Sequence, residues 1–210
     1  MPETNPPAEQ PQPGLRERKK QLTHRTIADA AFSLVTERGL DHVTVDQIAD
    51  RAFVSPRTVS NYFTSKEAAI VAANNNAPIE LLIGIEDRPA DEAPLETLRV
   101  VLTGSVRGWS KQQLQALKAK EAMVAEYPAL LPHRMAQWDE LEDAIREAIA
   151  ERLEADPETE ALPRLIAGAA TAAVKTAIRI WDNTGGGADA IADLIDQAFV
   201  DLEAGLTTDS

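Results

Sequence analysis

Residues 44–66 read TVDQIADRAFVSPRTVSNYFTSK, and this segment decides the fold. It predicts two short helices joined by a tight connection. The first covers about residues 45–52, with Thr44 as N-cap and Gln47 three positions on, the spacing of a capping box. The second covers about residues 56–63. Ser55 caps it, and Pro56 takes the first helical position, where a missing N–H costs nothing. Ile48, Ala49, Val54 and Val59 are spaced to share a small core, and a side chain larger than Ala49 would push the crossing helices apart. The opposite side of the second helix carries Arg57, Thr58, Ser60, Asn61 and Tyr62, hydrogen-bonding side chains of the kind that read base edges or hold phosphates. A helix of this size fits a major groove while its predecessor crosses the backbone. Hydroxyl caps at both N-termini sit beside N–H groups that suit phosphates, and Lys66 stands after the second helix, next to Ser65. A plain helical hairpin with a solvated polar face is the competing reading.

Helical periodicity continues on both sides. Upstream, Ile27, Ala30, Ala31, Leu34 and Val35 define one face of a helix over residues 22–38, and Gly39 is its stop. Downstream, a helix opens at Ser65 and runs through Ile70 towards Ile85, with Pro78 kinking or interrupting it. Residues 86–94 read as a loop. Further helices are expected over residues 95–110, 112–127, 130–155, 162–183 and 188–206, with breaks at Pro128, Pro157, Pro163 and Gly185-Gly186-Gly187. In the 130–155 helix, Leu131, Met135, Trp138, Leu141, Ile145, Ile149 and Leu153 follow alternating steps of three and four. No strand alternation or internal repeat is visible. The expected fold is all-α with about nine helices. Residues 1–14, rich in Pro, Glu and Gln, are expected to form a disordered leader, residues 15–66 a helix-turn-helix domain and residues 67–210 a second helical domain.

Composition narrows the function classes. The 210 residues include no cysteine, which excludes disulfides, thiolate catalysis and cysteine-ligated metal sites. The net charge of −13 is unevenly spread: residues 1–66 hold nine Lys/Arg against eight Asp/Glu, residues 67–210 twelve against twenty-six. Arg16, Arg18, Lys19, Lys20 and Arg25 cluster with only Glu17 opposing them. Such a chain can face a polyanion with one end while its body is repelled, and an ordinary acidic protein with a basic start has the same profile. No secretory signal is seen, and no uninterrupted apolar run approaches the roughly 20 residues of a membrane span, so a cytoplasmic, soluble protein is expected. His24, His42 and His133 stand in unrelated segments. Without a nucleophile motif, metal-ligand spacing or a glycine-rich phosphate loop after a strand, neither an enzyme nor a bound cofactor is expected.

From about Arg18 to Ile70 the chain resembles the N-terminal domain of TetR-family (tetracycline-repressor-like) regulators. The matching residues are Thr44-Val45-Asp46-Gln47-Ile48-Ala49, Val54-Ser55-Pro56-Arg57-Thr58-Val59 and Asn61-Tyr62-Phe63-Thr64-Ser65-Lys66-Glu67. The resemblance implies a DNA-binding transcriptional regulator, in the family's majority a repressor. It implies a homodimer on a palindromic operator, with a divergent C-terminal domain that dimerises and binds a small-molecule effector. It implies phosphate contacts from Thr44, Tyr62 and Lys66, base or groove contacts from Ser55, Arg57, Thr58 and Asn61, and a packing role for Phe63. Two positions depart from the family pattern. Phe53 stands where glycine is frequent, at a cost of about 1–2 kcal/mol if the backbone there is left-handed. Ser60 stands where an aromatic residue is common. A helical adaptor that has lost DNA binding is the alternative these departures keep open.

In the second domain, Ala167, Gly168, Ala169, Ala170, Ala172, Ala173 and Ala177 allow close helix approach. With Ile191, Leu194, Ile195, Ala198, Phe199 and Leu202 they form either a four-helix dimer interface, the arrangement that the resemblance implies, or monomer core. Trp109, Met123, Tyr127, His133, Arg134, Trp138, Arg179 and Trp181 are the large or polar side chains on apolar faces that suit a ligand pocket. Of these, Trp109, Met123, Tyr127, Arg134, Trp138 and Arg179 are the expected ligand contacts. Lys175 and Arg179 share a face, where they meet either an anionic ligand or nearby carboxylates. Leu131-Pro132-His133-Arg134 and Trp138 resemble the mycofactocin-regulator branch of the family, which implies a hydrophobic or acyl-coenzyme A-like effector.

Overall fold

Among the described residues, 15–73 and 78–206 of a computed structural model, the chain forms ten α-helices and no strand; nine of the helices exceed a single turn. The expected leader, residues 1–14, lies outside the described residues. The chain divides into two units after Ala73.

The first unit contains α1 (Leu15–Arg38), α2 (Val45–Arg51), α3 (Pro56–Tyr62) and α4 (Lys66–Ala72). α1 begins seven residues earlier than its apolar face predicts. Its first two turns hold Arg16, Arg18, Lys19 and Lys20, good helix formers that set positive charge at the positive end of the helix dipole. Gly39, at φ +79°, ends α1 in a conformation that a side chain resists. A single 3-10 turn, Leu40–His42, then leads into α2. The capping box at Thr44 and Gln47 is present, as is the Ser55 cap with Pro56 behind it. Ile27, Ala31, Leu34, Ile48, Ala49, Val59 and Ile70 are buried together, and each large aliphatic side chain among them contributes about 1.5–3 kcal/mol. Arg51 locks α2 to α1 through two 2.8 Å bonds to Glu37, aided by Ser33. These bonds hold the Glu37 carboxyl at about 2, below the usual carboxylate range.

The domain boundary expected after Lys66 moves. Ala69, Ile70 and Val71 of α4 are buried, and α4 packs on α1, so this helix completes the first unit.

The second unit contains α5 (Pro78–Leu81), α6 (Pro94–Arg107), α7 (Lys111–Glu126), α8 (Leu131–Arg152), α9 (Ala161–Thr184) and α10 (Ala188–Glu203). α9 packs between α8 and α10, and α6 lies along α10. By length and composition α9 could cross a membrane, because its charges, Arg164, Lys175, Arg179 and Asp182, leave a long apolar window; half of that window is buried inside the unit. It serves as the core helix here. α9 and α10 turn through Gly185-Gly186-Gly187. Gly186 has φ +122°, and a Cβ there would lie 2.6 Å from the Ala190 methyl, so no side chain fits; its carbonyl accepts the Trp181 indole N–H at 3.2 Å. Arg99 ties α6 to α10 by donating to Glu96 at 2.7 Å and Asp196 at 2.6 Å.

Two sequence expectations change. Ala167, Ala170, Ala173 and Ala177 of α9 face inward, and Ile191, Ile195 and Phe199 of α10 are fully buried. These residues follow the monomer-core reading, while Gly168, Ala169, Leu194, Ala198 and Leu202 of the same set are half-buried and Ala172 is exposed. In α8 the stripe is covered only from Leu141 onward; Leu131 and Met135 are exposed, and Arg134 is buried in their stead.

Candidate functional site

α3 buries Val59 and Phe63 and turns Arg57, Ser60 and Asn61 outward, with Thr58 and Tyr62 half-buried. Its N-terminus is already braced. Ser55 Oγ accepts the Thr58 N–H at 3.1 Å and lies 2.8 Å from the Thr58 hydroxyl. Thr44 Oγ1 accepts the Gln47 N–H at 3.3 Å, while its own N–H donates to Gln47 Oε1 at 3.0 Å. A capping hydroxyl accepts one bond and keeps its proton, so Thr44 can still donate to a phosphate oxygen. Ser60 donates back to the Pro56 carbonyl at 3.2 Å. Arg57 and Asn61 are the exposed groups on this face with the richest donor sets.

Lys66 is differently employed from what the sequence suggests. Its ammonium donates to the carbonyls of Leu40 and Val43, both at 2.9 Å. Two of its three N–H bonds therefore hold the α1–α2 turn in place, and one at most is left for a phosphate. His24 of α1, which the sequence gives no partner, rests its ring 4.5 Å from Phe63 and 6.3 Å from Tyr62. Burial against these rings, then the charge of Lys20, lowers its pKa from the ordinary histidine value. This contact sets the basic first turns of α1 beside the C-terminal end of α3. Phe53, in the turn between α2 and α3, has φ +55° and is 95% exposed. The left-handed backbone that its position implied is present.

The second unit holds a partly open cavity between α6, α7, α8, α9 and α10. Leu102, Val106, Leu117, Val174, Ile178 and Ile195 form its apolar walls, and Gln113, Lys120, Arg134 and Gln137 supply the polar groups. Three expected ligand residues, Trp109, Arg134 and Trp138, line it. Three do not. Met123 is buried elsewhere, Tyr127 caps the end of α7, and Arg179 is exposed on the far side of α9. His133 is also outside the lining. Arg134 stacks over Trp138 at 4.2 Å, with Lys175 also over that ring at 5.6 Å. The Arg134 guanidinium donates twice to Glu121 Oε1, at 3.0 and 2.5 Å, and once to Gln137 at 3.3 Å.

Lys120 was missed in the sequence, although it lies on the buried stripe of α7 three residues from both Leu117 and Met123. It is 3% exposed. Burial above all, and then the neighbouring Arg134 charge, pushes its pKa down to about 7, against a smaller pull from Glu121. No cluster of metal-ligating side chains occurs among the described residues.

Comparison with known proteins agrees with this two-part layout. The family model described as bacterial regulatory proteins, tetR family, matches residues 27–73, and that of the MftR C-terminal domain matches residues 89–207. The HTH-type transcriptional regulator TcmR of Streptomyces glaucescens is 31% identical over 175 residues, covering 80% of this chain and 77% of that one. Among solved structures, Thermus thermophilus FadR in complex with lauroyl-CoA superposes with a TM-score of 0.53 at 21% identity, over 89% of this chain and 96% of its own. The triclosan complex of SmeT, the Stenotrophomonas maltophilia efflux-pump repressor, gives 0.53 at 19% identity, over 87% and 91%. The chain therefore belongs to the TetR family of bacterial transcriptional regulators, with its helix-turn-helix as the DNA-binding element.

Proposed function

We propose that this regulator acts in the cytoplasm as a homodimeric repressor, holding a palindromic operator until a small hydrophobic molecule enters the α6–α10 cavity. The observation that carries the DNA half is the two-sidedness of α3: Val59 and Phe63 anchor it while Arg57, Ser60 and Asn61 stand free of the core. Arg57 reads a guanine through its bidentate fork, Asn61, Thr58 and Ser55 make further groove contacts, and Thr44 and Tyr62 hold phosphates. Ser60, already bonded to its own helix, contributes least. Residues 15–73 are the DNA-binding domain and residues 78–206 the effector and dimerisation domain.

With Ile191, Ile195 and Phe199 committed to the core, the dimer forms through the outer stripe of α9. Leu162, Leu165, Ala172, Thr176 and Ile180 recur there at steps of three, seven, four and four, all exposed. Recognition helices about 34–36 Å apart then enter successive major grooves. An effector that binds better to a conformer with a different separation weakens DNA binding by that difference in affinity. The apolar walls suit effectors with hydrophobic bodies, acyl-coenzyme A esters among them.

The test is to select duplexes from a random pool with the full-length protein, then titrate the selected site at fixed salt. Arg57→Ala is expected to weaken binding about ten- to a hundredfold, the loss of one bidentate base contact, with the dimer mass unchanged. Equal affinity of variant and wild type would overturn the assignment.

A further inference from the structure

We propose that the effector is an amphipathic anion whose compact acidic group, a carboxylate in the simplest case, sits between Lys120 and Arg134 while its apolar body lies along Leu102, Val106, Leu117 and Ile178. This rests on the cavity being the effector site. The cavity lining contains two cationic side chains and no carboxylate. From α7 come Lys120 and, behind it, Glu121; from α8, Arg134; from α9, Lys175 over the far ring of Trp138. α6 and α10 contribute only apolar groups and the Trp109 indole. Glu121 is the one acid facing this group, and its Oε1 is engaged by Arg134. Two buried cations therefore share one carboxylate.

A buried charge without a counterion is expensive, and Lys120 meets that cost by giving up its proton near neutrality. An anion arriving beside it restores the ammonium, so ligand and proton bind together. The Trp109 Nε1–H is a second, independent sign. It is buried on the cavity wall with no acceptor in reach, and buried donors are normally satisfied. A ligand oxygen on that side would satisfy it. Arg134, clamped between Glu121, Gln137 and the Trp138 ring, is held in position before any ligand enters.

The test compares decanoate with 1-decanol, equal in chain length and different in charge, on the full-length protein. Trp109 and Trp138 fluorescence and calorimetry report the binding. Decanoate is expected to bind at least tenfold tighter at pH 6.5. That preference should vanish in Lys120→Met, which keeps the core filled, and survive in Lys120→Arg. Decanoate affinity in the wild type should fall about tenfold per pH unit as pH rises above 7, because the free protein then lacks the proton that the complex requires; Lys120→Arg should show no such slope. Equal binding of decanol and decanoate overturns the anion assignment and leaves the cavity as an apolar effector site, whereas a preference that persists undiminished in Lys120→Met overturns the placement of the acid beside Lys120. So does lauroyl-CoA binding more tightly than decanoate and equally well to Lys120→Met. If neither decanoate, decanol nor lauroyl-CoA binds, the cavity reading falls along with it.

Discussion

In the first unit the functional side chains are those left over once the core is filled. α3 is seven residues long; Val59 is sequestered, and Arg57, Ser60 and Asn61 remain on the outside. In the second unit the side chains proposed to meet the effector are part of the core. Lys120 comes from α7 and the stacked Arg134–Trp138 pair from α8, and the lysine joins that pair because the two helices border one void. An outward site is built from local spacing and tolerates substitution without unfolding. An inward site is built from tertiary packing, and every group in it is held by its neighbours. The same contrast holds for charge: the Arg57 guanidinium of α3 is exposed, whereas Lys120 is desolvated at rest.

The largest effect expected from this contrast is in the second unit. Phe199→Ala should lower stability by about 3–5 kcal/mol, the cost of emptying a fully buried aromatic site, whatever the protein concentration. Leu165→Glu, on the exposed stripe of α9, should instead dissociate the dimer while leaving each protomer folded. Thermal unfolding alongside sedimentation equilibrium separates the two. A folded, monomeric Phe199→Ala protein would mean that α10 buries Phe199 against a second copy, and the assignment of core and interface would have to be exchanged.

A smaller effect tests whether the first unit's site is as free of structural duty as its exposure suggests. Lys66→Met removes two charge-assisted bonds, leaving the Val43 carbonyl without that donor and the Leu40 carbonyl with the Val43 N–H alone. A loss of about 2 kcal/mol is expected, seen as a lower urea midpoint. A variant that keeps wild-type stability yet binds DNA more weakly would return Lys66 to the phosphate-clamping role.

How much was readable beforehand follows the same division. Thr44, Gln47, Ser55 and Pro56 announce the two helices because capping is a matter of three or four adjacent residues, and the structure carries each cap where the spacing asks for it. The bonds of Lys66 to Leu40 and Val43 could not be read because those partners lie more than twenty positions upstream. In the cavity, Trp109 and Trp138 stood out by size, but Met123, Tyr127 and Arg179 show that residue type does not reveal which way a helix is rotated. Lys120 escaped notice because lysines are ordinarily solvated; its three-residue steps from Leu117 and Met123 were the available sign. α9 is apolar or small on nearly every side, so its sequence allowed both an inward and an outward alanine stripe, and only packing against α8 and α10 chose between them.

Phe53 offers the mildest perturbation and the sharpest reading of the first unit. Its φ of +55° costs about 1–2 kcal/mol for a side chain with a Cβ, and at 95% exposure the ring recovers almost nothing through packing. Glycine relieves the strain but gives the unfolded chain more freedom to lose, about 0.5–1 kcal/mol. Phe53→Gly should therefore stabilise the unit by about 0.5–1 kcal/mol, read as a small rise in the urea midpoint. DNA affinity, measured on the same preparation, then says what the residue is for. Unchanged affinity makes the ring a tolerated departure, whereas weaker binding by a more stable protein shows strain retained for contact with the duplex. A loss of stability would mean that the ring is covered in solution, and the contrast between an outward and an inward site would fail at the very turn that joins the two DNA-facing helices.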